Sequence, residues 1–354
     1  MNSLIDLRSD TAIQPTHEML RRLESLYFGD DLLEEDQATN LLLVKSSEMI
    51  GMESALLTPS GSMSNQISVA VFTQPGQEVL LGHASHIRNL EAGGLAANSG
   101  VQIRCTPVHQ GIYDADALEA SIREAQLQVA ATGLISLEST YDLNAGYVPS
   151  LENLREIHSI SRRYDLPIYM DGARIFNAAE ALGVELADIC QYVDAVQFCL
   201  NKGLGAPLGS VLVGSRRFIS SARRARQRFG GGMRHTGLLA APALLALPEW
   251  RKVSSDRIKA RKIANSLSDV PHIALNNSPI QSNIVSFSVS TGKMSIDDFI
   301  EQLARRHVLV KKIGSDQVRL VAHRSVSHED IELACSVIIE TLAASSPTNF
   351  PAEG

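Results

Sequence analysis

From residue 55 onward, short apolar runs alternate with helical stretches along the chain. The runs are ALLT (55–58), EVLL (78–81), VQIRC (101–105), LISLE (134–138), PIYM (167–170) and AVQFCL (195–200). Between them lie MSNQISVAVF, LEASIREAQ and LENLREIHSISRRY. Apolar runs without strict polar alternation predict strands buried on both faces, and the helices between them predict a parallel, doubly wound sheet. SVLVG (210–214) follows the sixth run after too few residues to hold a crossover helix, so it is predicted antiparallel. The pattern describes an α/β fold: a mostly parallel seven-stranded sheet with helices on both faces.

The two ends of the chain read differently. Residues 1–45 are mixed: polar DLRSDT (6–11), a helical pattern after Pro15, then acidic, loop-like GDDLLEEDQAT. Past Trp250 a charged helical stretch (254–267) leads to three strand-like runs, SNIVSFSV (282–289), HVLV (307–310) and QVRLVA (317–322). SIDDFIEQLARR and SHEDIELACSVIIETLAA each open on a serine with an acid three residues on, the signature of a helix start. The expected organisation is a large domain over 1–250, including the 1–45 segment. A small C-terminal α+β domain over 251–345 and a disordered tail, 346–354, follow.

Composition narrows the function classes. With 354 residues, 44% hydrophobic and 20% charged, the chain has the make-up of an ordinary globular protein. A net charge of −7 argues against nucleic acid or an anionic membrane as partner. The Arg-rich run 216–228 is read as a solvated helix face or a subunit contact. Cys105, Cys190, Cys199 and Cys335 lack metal-ligand spacing, so no metal is expected. Cys105 and Cys199, inside apolar runs, are expected to pack as small hydrophobes in a reducing compartment. The first residues lack the blocks of a signal peptide, and no apolar run approaches the ~18 residues needed to cross a bilayer. A cytoplasmic location is expected.

Four features fall at predicted carboxyl ends of strands, where α/β sheets bind ligands. TPSGSMSN (58–65) places Ser60, Gly61 and Ser62 at a helix start, a phosphate seat or a plain cap. PIYMDGARIFNAA (167–179) ends a strand on Asp171 and places Arg174 at the next helix start. A carboxylate there either caps the helix or pairs with a protonated ring nitrogen. AVQFCLNKGLGAPLGS delivers Lys202 into a glycine-rich turn at the end of a buried run, either a surface lysine in a flexible loop or a poorly solvated amine able to attack a carbonyl. GHASHIRNLEAGG (82–94) places His86 after a strand, as a capping residue or a ring to stack on a flat ligand. Taken together, these are the parts needed to hold pyridoxal 5'-phosphate.

The same stretches, with DLRSDT, GDD, LESTYD, GGGMRHTG and QVRLVAH, carry a resemblance over nearly the whole chain. It resembles the threonine aldolase and β-eliminating lyase family of fold-type I pyridoxal-phosphate enzymes. The resemblance implies that Lys202 binds the cofactor as a Schiff base and later transfers protons. Asp171 would pair the pyridine nitrogen, His86 would stack on the ring, and Gly61 and Ser62 would hold the phosphate. Arg174 would face the phenolic oxygen and the substrate carboxylate, with Ser9 and Arg319 completing the carboxylate clamp. Arg234 would lie near the phosphate of a neighbouring subunit, in a homodimer or homotetramer with shared active sites. The implied reaction is retro-aldol cleavage of a β-hydroxy-α-amino acid to glycine and an aldehyde. Racemisation or β-elimination on the same scaffold is the alternative.

The wording departs from the family near the substrate. Leu33 and Glu34 replace an expected tyrosine and glycine, and Asn201 precedes Lys202 where serine is usual. Ile87, Arg88, Asn89 and Leu90 replace an aromatic-rich stretch. Tyr141 and Gln128 stand where histidines occur, and Gln227 where a lysine is often found.

Overall fold

Seven of the apolar runs meet in one sheet in the computed structural model, which describes residues 4–290 and 294–345. Its strands are β1 (Ser54–Thr58), β2 (Glu78–Gly82), β3 (Gln102–Thr106), β4 (Thr132–Glu138), β5 (Ile168–Asp171), β6 (Ala195–Cys199) and β7 (Ser210–Gly214). Their spatial order is β1-β7-β6-β5-β4-β2-β3. β7 is antiparallel to both neighbours, as its short connection requires, and the other pairings are parallel. Strands β4 to β7 are buried along their whole length, which accounts for their unbroken apolar spelling. β3 differs. It is the sheet's edge, and most of its residues, Cys105 among them, are exposed. The expectation that Cys105 packs as a buried hydrophobe is therefore corrected: an edge strand has only one neighbour to cover it.

Helices α1 (Gln37–Ile50), α2 (Gly61–Phe72), α3 (Leu151–Arg163), α4 (Ile175–Leu182) and α5 (Arg216–Arg228) belong to the same unit, Ile13–Lys252. α2 packs across β1, β4, β5, β6 and β7. Its buried face joins Leu56, Leu81, Leu134, Tyr169 and Leu212 in one apolar cluster. The strand order reverses direction between β2 and β4, which places the ligand-binding crevice of such a sheet at their carboxyl ends.

The second unit joins the described residues of 1–12 to those from Val253 onward. Its sheet has strands β8 (Ile273–Leu275), β9 (Ile284–Val289), β10 (Lys311–Lys312) and β11 (Gln317–Val321), all antiparallel in the order β8-β9-β11-β10. Helices α6 (Val253–Leu267), α7 (Ile296–Arg305) and α8 (His328–Ser345) supply the rest of its core, with Phe287, Phe299, Leu320 and Ile338 fully buried. Ser295 and Ser327 cap α7 and α8 through backbone N–H groups three residues on. Ile5–Asp6 pairs with Val308–Leu309, and Ile5 and Leu7 enter this core. The start of the chain thus belongs to the smaller unit, whereas its sequence had been grouped with the large one. The tail 346–354 lies outside the described residues. Among the described residues no helix is long and apolar enough to cross a membrane.

Candidate active site

β1 ends at Thr58, and α2 starts at Gly61, capped by Ser60, whose Oγ accepts the Met63 N–H at 3.2 Å. The N–H groups of Gly61 and Ser62 lie in the first turn, without partners inside the helix, so this turn is suited to an anion. A Cβ on Gly61 would meet Cys199 Sγ at 3.0 Å and Gln197 Nε2 at 3.3 Å. Glycine here lets the helix start sit directly on β6.

Asp171 closes β5 and is 3% exposed. Its Oδ1 accepts from Gln197 Nε2 at 2.5 Å and from the Ala173 N–H at 3.1 Å, and its Oδ2 accepts from Asn65 Nδ2 at 2.8 Å. All three are neutral N–H donors, so both oxygens act as acceptors. Arg174 follows as the buried residue that opens α4.

Lys202 sits three residues past β6, partly exposed. Its turn is closed by Leu200 N–H to the Gly209 carbonyl, Ala206 N–H to the Leu200 carbonyl and Gly205 N–H to the Lys202 carbonyl, at 3.0, 3.0 and 2.8 Å. β5 and β6 are paired in parallel with Asp171 beside Gln197. Asp171 closes β5, and Lys202 follows three residues past the end of adjacent β6, so both belong to the carboxyl ends of neighbouring parallel strands.

His86 opens a short turn after β2, at the switch point. Its backbone N–H donates to Glu138 Oε2 at 2.6 Å, and its Nδ1 bonds Glu91 Oε1 at 3.1 Å. A carboxylate accepts, so the geometry places an Nδ1–H of His86 on Glu91 and leaves Nε2 pointing away from that pair. One donor or acceptor atom from each of His86, Glu91 and Asp171 lies within 4.8 Å of the others. Glu138 ends β4 directly beside Asp171. Burial, reinforced by the charge of Asp171, pushes the Glu138 carboxyl well above the usual range.

Tyr141, where the family wording favours histidine, is a packing residue. Its ring lies against Gly82, where a Cβ would come within 2.5 Å, and its hydroxyl accepts the Ala84 N–H at 3.1 Å. Burial pushes that phenol up to about 12. It braces the turn that carries His86.

The remaining predicted residues lie on other segments of the chain. Arg234 has a half-exposed side chain and pairs with Asp30 Oδ2 at 3.0 Å, which ties GGGMR to the GDD segment. In the smaller unit, Arg319 is buried on β11 and donates to the Arg8 carbonyl at 2.9 Å. Ser9 Oγ accepts the Thr11 N–H at 3.2 Å and so caps its own turn.

Sequence reading missed Asn65, Glu91, Glu138 and Gln197. Gln197 and Glu138 had a signal, since each is a polar residue within or closing an apolar run. Asn65 lies one helical turn past Gly61, on the face that carries the phosphate seat.

A profile of the beta-eliminating lyase family matches residues 6–290. The chain belongs to the beta-eliminating lyase family. Low-specificity L-threonine aldolase 1 of Arabidopsis thaliana is 36% identical over 338 residues, covering 94% of each chain. The low specificity L-threonine aldolase of Escherichia coli K12 is 35% identical over 330 residues, covering 93% of this chain and 96% of its own. Among solved structures, the threonine aldolase of Leishmania major superposes with a TM-score of 0.81 at 16% identity, covering 96% of this chain and 99% of that one. That likeness shows the shared fold. Within the family fold, the two carboxylates, the imidazole and the lysine turn described above stand at one edge of the large sheet.

Proposed function

We propose that this member of the family is a pyridoxal-phosphate-dependent lyase that cleaves a β-hydroxy-α-amino acid of the threonine or allo-threonine class to glycine and an aldehyde. The supporting observation is that Asp171, an acceptor-only carboxylate at the end of β5, pairs with Gln197 of adjacent β6, the strand that leads three residues past its end to Lys202. The residues present suit the cofactor. Asp171 offers an anion to a ring N–H, α2 offers free N–H groups to a phosphate, and Lys202 offers an amine. When bound, pyridoxal phosphate supplies an aldehyde for that amine and a ring that takes up the electrons of the broken Cα–Cβ bond.

The protein's own residues divide the work. Lys202 would hold the cofactor and move protons. Asp171 would hold the ring nitrogen, and a carboxylate there favours its protonated form. His86 would pack on the ring, with its Nε2 directed away from Glu91 and available to a substrate hydroxyl. Ser60, Gly61 and Ser62 hold the phosphate, with Arg234 reaching a neighbouring subunit's phosphate in a homodimer or homotetramer. Arg174, Arg319 and Ser9 take the substrate carboxylate, for which a guanidinium offers a two-pronged match. A cytoplasmic location is part of this reading and suits four free cysteines. Lys202→Ala tests the assignment. The wild type should develop a visible absorbance band with added cofactor and release glycine from L-threonine, and the variant should do neither. A band of unchanged position and intensity in the variant would remove Lys202 from its role.

A further inference from the structure

Two side-chain amides meet Asp171, and neither can turn over. Gln197 presents its nitrogen to Asp171 Oδ1 at 2.5 Å while its Oε1 accepts from the Ser210 hydroxyl at 2.5 Å. Asn65 is satisfied at every position. One N–H goes to Asp171 Oδ2 at 2.8 Å, the other to Glu91 Oε1 at 2.6 Å, and Oδ1 accepts from the Tyr169 hydroxyl at 2.6 Å. Both residues are 1% exposed. A flip of either amide would aim its oxygen at a carboxylate, so the partners fix each orientation.

We propose that Asn65 and Gln197 are positioning residues that set the Asp171 carboxylate for the cofactor's ring nitrogen, and that Asn65 couples this carboxylate to the Glu91–His86 pair. The proposal rests on the cofactor reading above. Its physical core is the neutrality of the two donors. An arginine or lysine in either place would orient Asp171 equally well but would compete as a cation with the pyridinium. Amides orient the carboxylate and leave its charge for the ring. The second N–H of Asn65 then links Asp171, which would hold the ring nitrogen, to Glu91, the partner of the His86 imidazole. One amide on the helix that bears the phosphate seat thus registers three contacts of the cofactor against each other.

The test uses the full-length protein, titrated with pyridoxal phosphate whose ring nitrogen is labelled with ¹⁵N. Gln197→Met and Asn65→Leu keep the volume and delete the donors. Ser210→Ala and Tyr169→Phe are milder: they leave the amides on their carboxylates and delete only the hydroxyl donor on each amide oxygen, which loosens their hold. The expected result is an affinity loss of roughly tenfold or more in the first pair and a smaller one in the second. In all four, the ¹⁵N resonance should move towards that of an unprotonated ring, and the absorbance band contributed by Lys202 should persist. Wild-type affinity and an unmoved ¹⁵N resonance in the folded variants would overturn the proposal, and for variants that do not fold the Ser210→Ala and Tyr169→Phe results decide it. If the wild type itself develops no band with the cofactor, the underlying cofactor reading fails, which is a separate and recognisable outcome.

Discussion

Gln197 was visible in the sequence as a polar residue in the run AVQFCL, yet nothing along the chain says what it faces. Its partner, Asp171, is the neighbouring strand's contribution, and only the parallel pairing of β5 with β6 puts them side by side. The same holds for Glu91. EAGG is four residues among many, whereas in the fold the Glu91 carboxylate accepts from Asn65 and Gln66 at 2.6 Å each, besides bonding His86 at 3.1 Å. The residues proposed to touch the cofactor are legible because their chemistry is distinctive. The residues that hold them are ordinary amides and acids whose meaning is purely spatial. Glu91→Gln follows from this geometry. An amide in that place must aim an N–H at one of three groups that already donate, so the variant should lose about 1–3 kcal/mol of stability. It should also no longer fix the His86 tautomer. Nitrogen NMR of labelled histidine checks this: the wild type should show Nδ1 protonated, and an unchanged His86 pattern in Glu91→Gln would contradict the assignment.

At the level of elements, the seven strands of the large sheet follow from apolar spelling, and β7's direction from the length of its connection. The exposure of β3 at the sheet's edge did not, because an exposed edge and a buried centre use the same β-branched residues. Segments fixed by distant partners were equally silent. Asp31 is held by fully buried Arg226, whose Nη2 donates at 2.6 Å while Nη1 reaches the Leu57 carbonyl at 2.7 Å. Next to it, Glu34 takes a left-handed φ of 62°, a conformation that suits the glycine of the family wording, and pairs with Arg223 at 2.5 Å. In the smaller unit, α6 buries Asp256 against Lys259 at 3.1 Å. Burial outweighs the lysine and pushes the Asp256 carboxyl from 3.8 up to about 6. The folded chain therefore holds this proton more tightly than the unfolded chain. Its contribution to stability is full below about pH 4 and is lost as pH rises to about 6. Asp256→Asn should remove that dependence. Denaturant unfolding at several pH values should show the wild type losing ground to the variant, by up to roughly 3 kcal/mol, across this window. A wild-type-minus-variant difference that stays constant would show that Asp256 does not titrate there.

For the molecule as a whole, order along the chain carried more than any single motif. Ser60–Ser62, His86, Asp171 and Lys202 come in the sequence in the order that one doubly wound sheet needs. In the fold each stands at or just past the carboxyl end of a strand of that sheet. Membership of the beta-eliminating lyase family leaves three outcomes open to one site: cleavage between Cα and Cβ, elimination at Cβ, and inversion at Cα. Of the departures from the family wording, Tyr141 is packed and Leu33 exposed, whereas Asn201 directly precedes Lys202, so the products decide which outcome the site gives. The products of L-threonine and L-allo-threonine, with glycine, aldehyde, 2-oxo acid and recovered substrate enantiomers all quantified, separate these outcomes. The predicted result is glycine and acetaldehyde in equal amounts, abolished in Lys202→Ala. A 2-oxo acid or inverted substrate, with no glycine from either isomer, would contradict the aldolase assignment.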